Sequence, residues 1–577
     1  MPDKNNTPLT GYPSIDKPWL KYYSQEAIYA PTPEKSIYEY MWENNKDYPE
    51  DIAINYLGRK ITYGELFNSI EKTAKAFAAL GVVPGEIVTV ALPSIPEALY
   101  IVYALNRLGA VANMIHPIAG MQEIINYINE VGSSIVVLFD NTYELIKDSL
   151  EEISVQFAIV VSVSHSLPTV KKVLYRLKQK QKPILHNSKI LLWNQFLNGG
   201  QEDPVPHIEK NTREMALISH TGGTTGEPKG VMLSDYNIVS VIWQISQEMV
   251  FERQEINMAV LPPFVSYSLV DGMLAPLTYG FQLVLIPQYN PAAFHQYVKK
   301  YRFNHLMASI PAYYEPLLNN KKLRSMDLSC IRHIYYGGEK MDAKMEELIN
   351  DFLMSRGAKF PLAKGLGSTE MTSAATVTYE GINLKDSSGI PLVKVVCKIV
   401  VPDSMEELPY DTPGEICMTG PSLMIGYYNK IEETSSVIKC HADGLRWLHT
   451  GDLGYINTDG AVFVTGRIKR IIMTRGIDGN PTKMFPDRIE KAIYGNPKVK
   501  VCCVVGIPDA ERVNYPKAFV VLKEGVEENE LTRESILNTC KAALPDYMVP
   551  EEIEFRTDLP RTARGKVDYR KLEESCR

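Results

Sequence analysis

The sequence predicts an α/β protein: a large N-terminal domain of βα-type sheets packed with helices, followed by a small C-terminal α+β domain. Three observations carry this. At 577 residues the chain is far too long for one hydrophobic core. Short β-branched runs alternate with helical patterns through the first two thirds, the signature of βαβ units and largely parallel sheets. After the glycine-bounded segment GRIKRIIMTRG (466–476), strand and helix signals restart over a stretch of about 110 residues, enough for a small independent domain.

Taken in order, a helix is expected over 64–80, a strand at IVTVAL (87–92) and a helix over 95–108. Strands follow at SIVVLFD (134–140) and FAIVVSV (157–163). From Ser166 to Lys182 the character changes. Lys171, Lys172, Arg176, Lys178, Lys180 and Lys182 have no acid among them, and Val170, Val173, Leu174 and Leu177 fall at helical spacing. This basic amphipathic segment, 168–183, reads either as a solvated surface helix on an insertion or as a contact for a membrane surface or a partner. Beyond Gly476 the strands VKVCCVVGIP (499–508) and AFVVLK (518–523) and a helix over 532–543 build the second domain. Its boundary is placed at Lys469, dividing the chain into 1–468 and 469–577.

Composition narrows the function. With 45% hydrophobic and 22% charged residues the chain is ordinarily globular, so disorder, collagen and coiled coil are excluded. A net charge of −7 and a pI near 5.9 argue against a nucleic-acid binder and favour small-molecule substrates. Eight cysteines without a C-x-x-C pair suggest neither a disulfide framework nor a zinc knuckle, which fits a reducing, cytoplasmic setting. The opening MPDKNNTPLTGYPSIDKPW is polar and proline-punctuated, unlike an export signal. The apolar stretch 87–115 is broken by Pro93, Pro96, Glu97, Asn106 and Arg107, so it reads as a buried strand and helix rather than a membrane span.

Four segments carry chemistry. HTGGTTGEPKG (220–230) gathers Gly222, Gly223, Gly226, the hydroxyls of Thr221, Thr224 and Thr225, and Lys229. Unhindered amides, hydroxyls and one cation suit a polyphosphate, and the run is not a Walker A loop, because its lysine precedes glycine rather than Ser/Thr. KGLGSTEMT (364–372) offers two glycines for close backbone approach, the Thr369 hydroxyl, and Glu370, a hard oxygen ligand suited to Mg²⁺. In HTGDLGYINTDG (449–460), Asp452 can accept hydrogen bonds from a ribose diol or can serve a turn or a helix cap. PRTARGKVDYRKL (560–572) sets Lys566 on a loop, where spacing alone gives it no role.

The order of these segments, with ITYGELFNSI (61–70), YYGGEKM (335–341) and PGEICMTGPSLMIGYYN (413–429), resembles the AMP-forming acyl-activating superfamily. That superfamily includes acyl-CoA synthetases, adenylation domains of peptide synthetases and beetle luciferases. The resemblance spans nearly the whole chain. It implies that ATP phosphates are held by Thr221, Thr224, Thr225 and Lys229 and Mg²⁺ by Glu370 with Thr221. It further implies an adenine slot at Gly337, Gly338, Glu339 and Leu366 to Thr369 (including Gly367 and Ser368), and a ribose site at Asp452 and Arg467. Lys566 would stabilise adenylation, and Lys469 would be the hinge of a mobile small domain. The implied reaction makes acyl-AMP and pyrophosphate from a carboxylic acid and ATP, then passes the acyl group to CoA; loading a carrier protein's phosphopantetheine is the alternative.

Three positions depart from the family pattern: Leu366 stands where an aromatic residue is usual, Val265 where a histidine or another gating residue is, and the run from Gly476 to Pro486 is lengthened. Amino-acid-activating members carry aspartate at the place of Val265 to meet the substrate ammonium, so valine disfavours an α-amino acid. Phe264, Tyr267, Leu269 and Tyr336 predict an apolar, aromatic pocket for a fatty, aryl or other uncharged acyl group.

Overall fold

The structure is a computed structural model, and it describes residues 9–150, 153–178, 189–200, 205, 208–221, 228–247, 249, 251–339, 341–378, 384–470, 472–475, 481–509, 513–561 and 567–576. The parallel runs predicted from sequence lie side by side. Ile87–Ala91 pairs in parallel with Val111–Met114 and with Ile135–Phe139, which pairs in turn with Phe157–Val161. These strands are nearly continuous in apolar residues because helices cover both faces of the sheet, so no face meets water. The same sheet continues through Met215–Thr221 and its antiparallel neighbour Lys229–Ser234 to the short strand Gly426–Tyr427.

A second sheet of the large domain runs from Ala363–Lys364 through His333–Tyr336, His305–Leu306, Ile256–Ala259 and Gln282–Leu285 to the N-terminal hairpin Ile52–Tyr56 and Arg59–Thr62. The helix Tyr63–Ala79 starts where the sequence marks it: the Thr62 hydroxyl accepts from the Glu65 amide at 3.2 Å, and Glu65 Oε2 accepts from the Thr62 amide at 2.9 Å. Pro96 opens the helix Pro96–Arg107, which is buried from Pro96 to Asn106, Glu97 and Asn106 included, against the helices Ile37–Asn45 and Tyr63–Ala79 and the strand Val111–Met114.

A third, antiparallel sheet joins Val396–Val400, Gly414–Thr419, Arg446–Ile456 and Ile438–Cys440, with Val462–Arg467 pairing the long strand Arg446–Ile456 on its other side. Beyond it, Val499–Asp509, Val513–Leu522 and Glu552–Phe555 form a three-stranded sheet flanked by the helices Pro486–Tyr494 and Glu530–Ala543. Its core, built on Ile489, Ile493, Val504, Val520 and Ile536, is separate from that of the large domain. Among the described residues no helix is long and apolar enough to cross a membrane. The basic segment forms a helix, Thr169–Lys178, with Val170, Val173 and Leu174 more than half exposed.

Candidate active site

Lys229 and Glu370 meet at one tyrosine. Met215–Thr221 and Lys229–Ser234 are antiparallel, with Thr221 directly opposite Lys229, so the two ends of the glycine- and threonine-rich run lie side by side. Thr221, buried at the strand end, and Lys229 both line a cavity of about 560 Å³. The Lys229 ammonium lies 4.9 Å from the Tyr427 ring centroid, and the Tyr427 hydroxyl donates to Glu370 Oε1 at 2.7 Å. Burial, reinforced by the Glu370 charge, holds the Tyr427 phenol well above its ordinary pKa, so it remains a donor. Gly222, Gly223, Thr224, Thr225 and Gly226 lie outside the described residues, as does Lys566.

Glu370 sits on the single turn Thr369–Met371, capped by the Ser368 hydroxyl, which accepts from the Met371 amide at 3.2 Å. The turn is the tip of a tight reversal. Leu366 O accepts from the amides of Ala375 and Thr376, each at 2.9 Å, and a Cβ on Gly367 would lie 2.1 Å from Ser373 O. That approach explains the glycine: any side chain there would pry the reversal open. Thr372, with φ +68° and ψ −50°, is in a strained region that few residues other than glycine visit. It is held there by the Ser266 hydroxyl, which donates to Thr372 O, and by its own hydroxyl, which donates to Ser422 O at 2.7 Å. The Met424 amide donates to Glu370 O at 2.8 Å, so the 423–427 segment fixes both the backbone and the carboxylate of Glu370. The second carboxylate oxygen of Glu370 has no protein partner among the described residues. The Thr221 hydroxyl, another hard oxygen, lines the same cavity.

Asp452 and Arg467 face each other across paired strands, Arg467 Nε lying 2.6 Å from Asp452 Oδ1, and both line the cavity. The turn before Asp452 is fixed from behind. Gly451, at φ +71°, donates its amide to Glu415 Oε1 at 3.1 Å, and Glu415 Oε2 is 2.8 Å from His449 Nδ1. His449 Nε2 in turn lies 2.9 Å from His441 Nε2. Burial, helped by Lys398, lowers His441 to about 4, so it is neutral and can donate one ring proton along this chain. Glu415, Cys417 and His449 are the one group among the described residues close enough to share a metal ion. These hydrogen bonds already give Glu415 and His449 a structural task.

Phe264, Val265, Tyr267 and Tyr336 line the cavity as expected, joined by Ile245, Met249, Met307, Ile310 and Tyr335. Leu269 does not: two residues beyond Tyr267 on the same helix it points the other way, into the main core, 1% exposed. Gly337, Gly338, Leu366, Gly367, Ser368 and Thr369 form wall, whereas Glu339 is exposed and is no part of it, because the chain leaves the wall after Gly338 at φ +79°. Lys469 lies in the turn Ile468–Arg470, and its backbone alone is described. Tyr427, His449 and Asp271 escaped the sequence reading. Tyr427 lay inside a quoted motif without a role, and Asp271 shares a helical face with Tyr267 four residues earlier.

Comparison with known proteins agrees with this fold. The family model described as "AMP-binding enzyme" matches residues 41–428, and the model of the AMP-binding enzyme C-terminal domain matches 488–566. The chain is 30% identical over 568 residues to a long-chain-fatty-acid–CoA ligase of Bacillus subtilis, covering 97% of this chain and 98% of that one. It is 27% identical to a probable 4-coumarate–CoA ligase 1 of Dictyostelium discoideum over 94% of this chain and 95% of the relative. Its fold superposes on the ATP-bound RpMatB-BxBclM chimera B1 with TM-score 0.81 at 24% identity, covering 94% and 98% of the two chains. On the anthranilate CoA ligase AuaEII in complex with anthranoyl-AMP it gives 0.80 at 20%, covering 96% and 99%. The chain belongs to the family of AMP-binding enzymes.

Proposed function

We propose that this protein is an AMP-forming ligase that joins an uncharged carboxylic acid with an apolar or aromatic tail to CoA, using ATP and Mg²⁺. The acid's carboxylate oxygen attacks the α-phosphorus of ATP, forming the acyl–phosphate anhydride and releasing pyrophosphate. The CoA thiolate then attacks the acyl carbon and AMP leaves. One observation supports this above the rest: a single cavity is walled both by Thr221, Lys229, Glu370, Asp452 and Arg467 and by an apolar, aromatic surface around Val265. In this reading Lys229 with its threonines binds the phosphates, Asp452 exchanges part of its pairing with Arg467 for ribose hydroxyls, and Gly337, Gly338 and Leu366 flank adenine. Thr221 and Glu370 hold Mg²⁺, which when bound offsets triphosphate charge. Lys566 enters to meet charge developing on the phosphates.

The pivot belongs at Ile468 and Lys469. Arg467 is still in the large domain's strand, paired with Asp452, whereas the Arg470 guanidinium donates to Asp487 at 2.7 Å and to Glu490 at 2.5 Å on the helix Pro486–Tyr494 of the small domain. Two residues are left to absorb a rotation. CoA is favoured over a carrier protein because the relatives named above are CoA ligases. Contact of 168–183 with an anionic membrane surface is supported by the exposed Val170, Val173 and Leu174 among basic residues. Co-sedimentation with anionic but not with neutral vesicles checks it.

Pyrophosphate exchange into ATP over a panel of acids tests the main reading. Fatty and aryl acids should support exchange, and α-amino acids should not. Exchange with a proteinogenic amino acid at the rate of the best uncharged acid would overturn it.

A further inference from the structure

Lys229 and Glu370 carry opposite charges in one cavity wall, yet they form no ion pair with each other. Each engages Tyr427 instead, the ammonium 4.9 Å from the ring centroid and the carboxylate at the hydroxyl. Tyr427 lines the same cavity, and nothing in the reaction above uses it. It belongs to the short strand Gly426–Tyr427, whose partner is the strand that begins at Lys229. Tyr427 stands opposite Val231, and the Tyr428 amide donates to Gly230 O at 2.8 Å, so a backbone ladder sets the distance from the ring to Lys229.

The strand is fixed on its other side as well. The Tyr427 amide donates to the Thr434 hydroxyl at 2.9 Å, and that hydroxyl donates to Lys430 O at 2.7 Å. A Cβ on Gly426 would lie 3.0 Å from Thr434 Cγ2, so glycine is what lets the two segments close. Left to themselves, two opposite charges in a partly dry cavity would fall together, because a cation is drawn more strongly to a carboxylate than to a ring face. Such a pair would have to open each time a polyphosphate and its metal arrived. The phenol gives Glu370 Oε1 a neutral partner, which leaves the charge and the second oxygen of the carboxylate for a metal ion. The ring gives Lys229 a weak resting place that a phosphate outcompetes.

We propose that Tyr427 is a positioning residue that keeps Lys229 and Glu370 apart and separately available, Glu370 to Mg²⁺ by way of its hydroxyl and Lys229 to the phosphates by way of its ring. The proposal rests on the ATP- and Mg²⁺-dependent function above and adds to it the residue through which both polar groups are held ready. The two halves of the side chain are separable. Tyr427→Phe keeps the ring and loses the donor, whereas Tyr427→Leu loses both.

The test is equilibrium binding of ATP, measured by titration calorimetry with and without Mg²⁺. The native protein should bind ATP more tightly when Mg²⁺ is present. Tyr427→Phe should lose on the order of tenfold of that gain, the worth of one hydrogen bond to a charged group, while its binding of metal-free ATP stays native. Tyr427→Leu should lose the same gain and also weaken metal-free ATP by on the order of tenfold, as Lys229 falls onto Glu370. In a Glu370→Gln background the phenylalanine substitution should cost nothing further, because the carboxylate it served is gone. A residue that only fills the core would weaken ATP binding equally with and without the metal and would do so in either background. That equal loss overturns the proposal, as does a Mg²⁺ gain unchanged in Tyr427→Phe. The phenylalanine variant, which keeps the core filled, decides the matter even where the leucine variant does not fold. If the native protein binds no ATP under either condition, the ligase reading itself falls, a result distinct from an unchanged gain.

Discussion

The two kinds of wall in this cavity are built by different means. The residues proposed to face the nucleotide come from short, contiguous segments: Thr221 and Lys229 are opposite each other on paired strands, Glu370 tips one reversal, and Asp452 and Arg467 face each other on adjacent strands. Each is held by backbone hydrogen bonds or by glycines at close approaches. The acyl-facing wall is assembled from far-apart places, with Ile245 and Met249 from one helix or its end, Tyr335 from a strand, and Asp271 from a π-helical turn. Phosphate chemistry is the same for every substrate and can be fixed in local motifs, whereas tail recognition is left to tertiary packing, where it can vary.

Removing single groups from the polar wall should therefore have large and general effects. Lys566→Ala should lower acyl-AMP formation by on the order of 10²- to 10³-fold, the usual loss for one preorganised donor at developing negative charge. Conversion of supplied acyl-AMP to thioester should be spared, and equal losses in both half-reactions would contradict the role. Glu370→Gln should cost on the order of 10²-fold in adenylation, relieved in part by excess Mg²⁺, because a neutral amide is a poorer ligand for a hard dication. An unaltered magnesium titration would remove Glu370 from the metal site.

The pivot offers a subtler break. Proline fixes φ near −65° and restricts the residue before it, so Lys469→Pro should leave pyrophosphate exchange intact while thioester formation falls more than about tenfold. Lys469→Ala, with a free backbone, should spare both steps. Equal thioester rates in the two variants would place the rotation elsewhere.

Much of this was legible in the sequence. The parallel strands and a helix over 64–80, observed over 63–79, follow from periodicity, and the phosphate-suited composition of 220–230 from local motif, whereas Asp452 and Arg467 were marked out as a pair by the family resemblance. Contacts between distant segments were not legible. Nothing near Glu370 announces that Tyr427, 57 residues later, will bond it. Leu269 was expected in the pocket, but two residues along a helix reverse a side chain's direction, and its burial is in the core. Glu339 follows the glycines that line the wall yet is exposed, because a positive φ at Gly338 ends the wall.

On the acyl side, the smallest effect is one of stability. Asp271 has its carboxyl raised from the ordinary range to about 7, so the folded state holds that proton more tightly than the unfolded chain. Its unfavourable contribution is absent below the unfolded value, grows as pH rises and is complete above about 7. Asp271→Asn should therefore gain a few degrees in Tm relative to the native protein at pH 8, and the gain should shrink steadily toward pH 4. A difference independent of pH would show that this carboxyl is already paired.

The central claim, that a carboxylate and ATP meet in this cavity to form an acyl adenylate, is tested most directly by the fate of the carboxylate oxygens. With an acid labelled in both carboxylate oxygens by ¹⁸O, turnover in the presence of CoA should deliver one labelled oxygen into AMP and none into pyrophosphate, because the bond formed in the first step joins that oxygen to the α-phosphorus and the thiol displaces it from carbon. Label recovered in inorganic phosphate alongside ADP, or AMP free of label, would contradict the account.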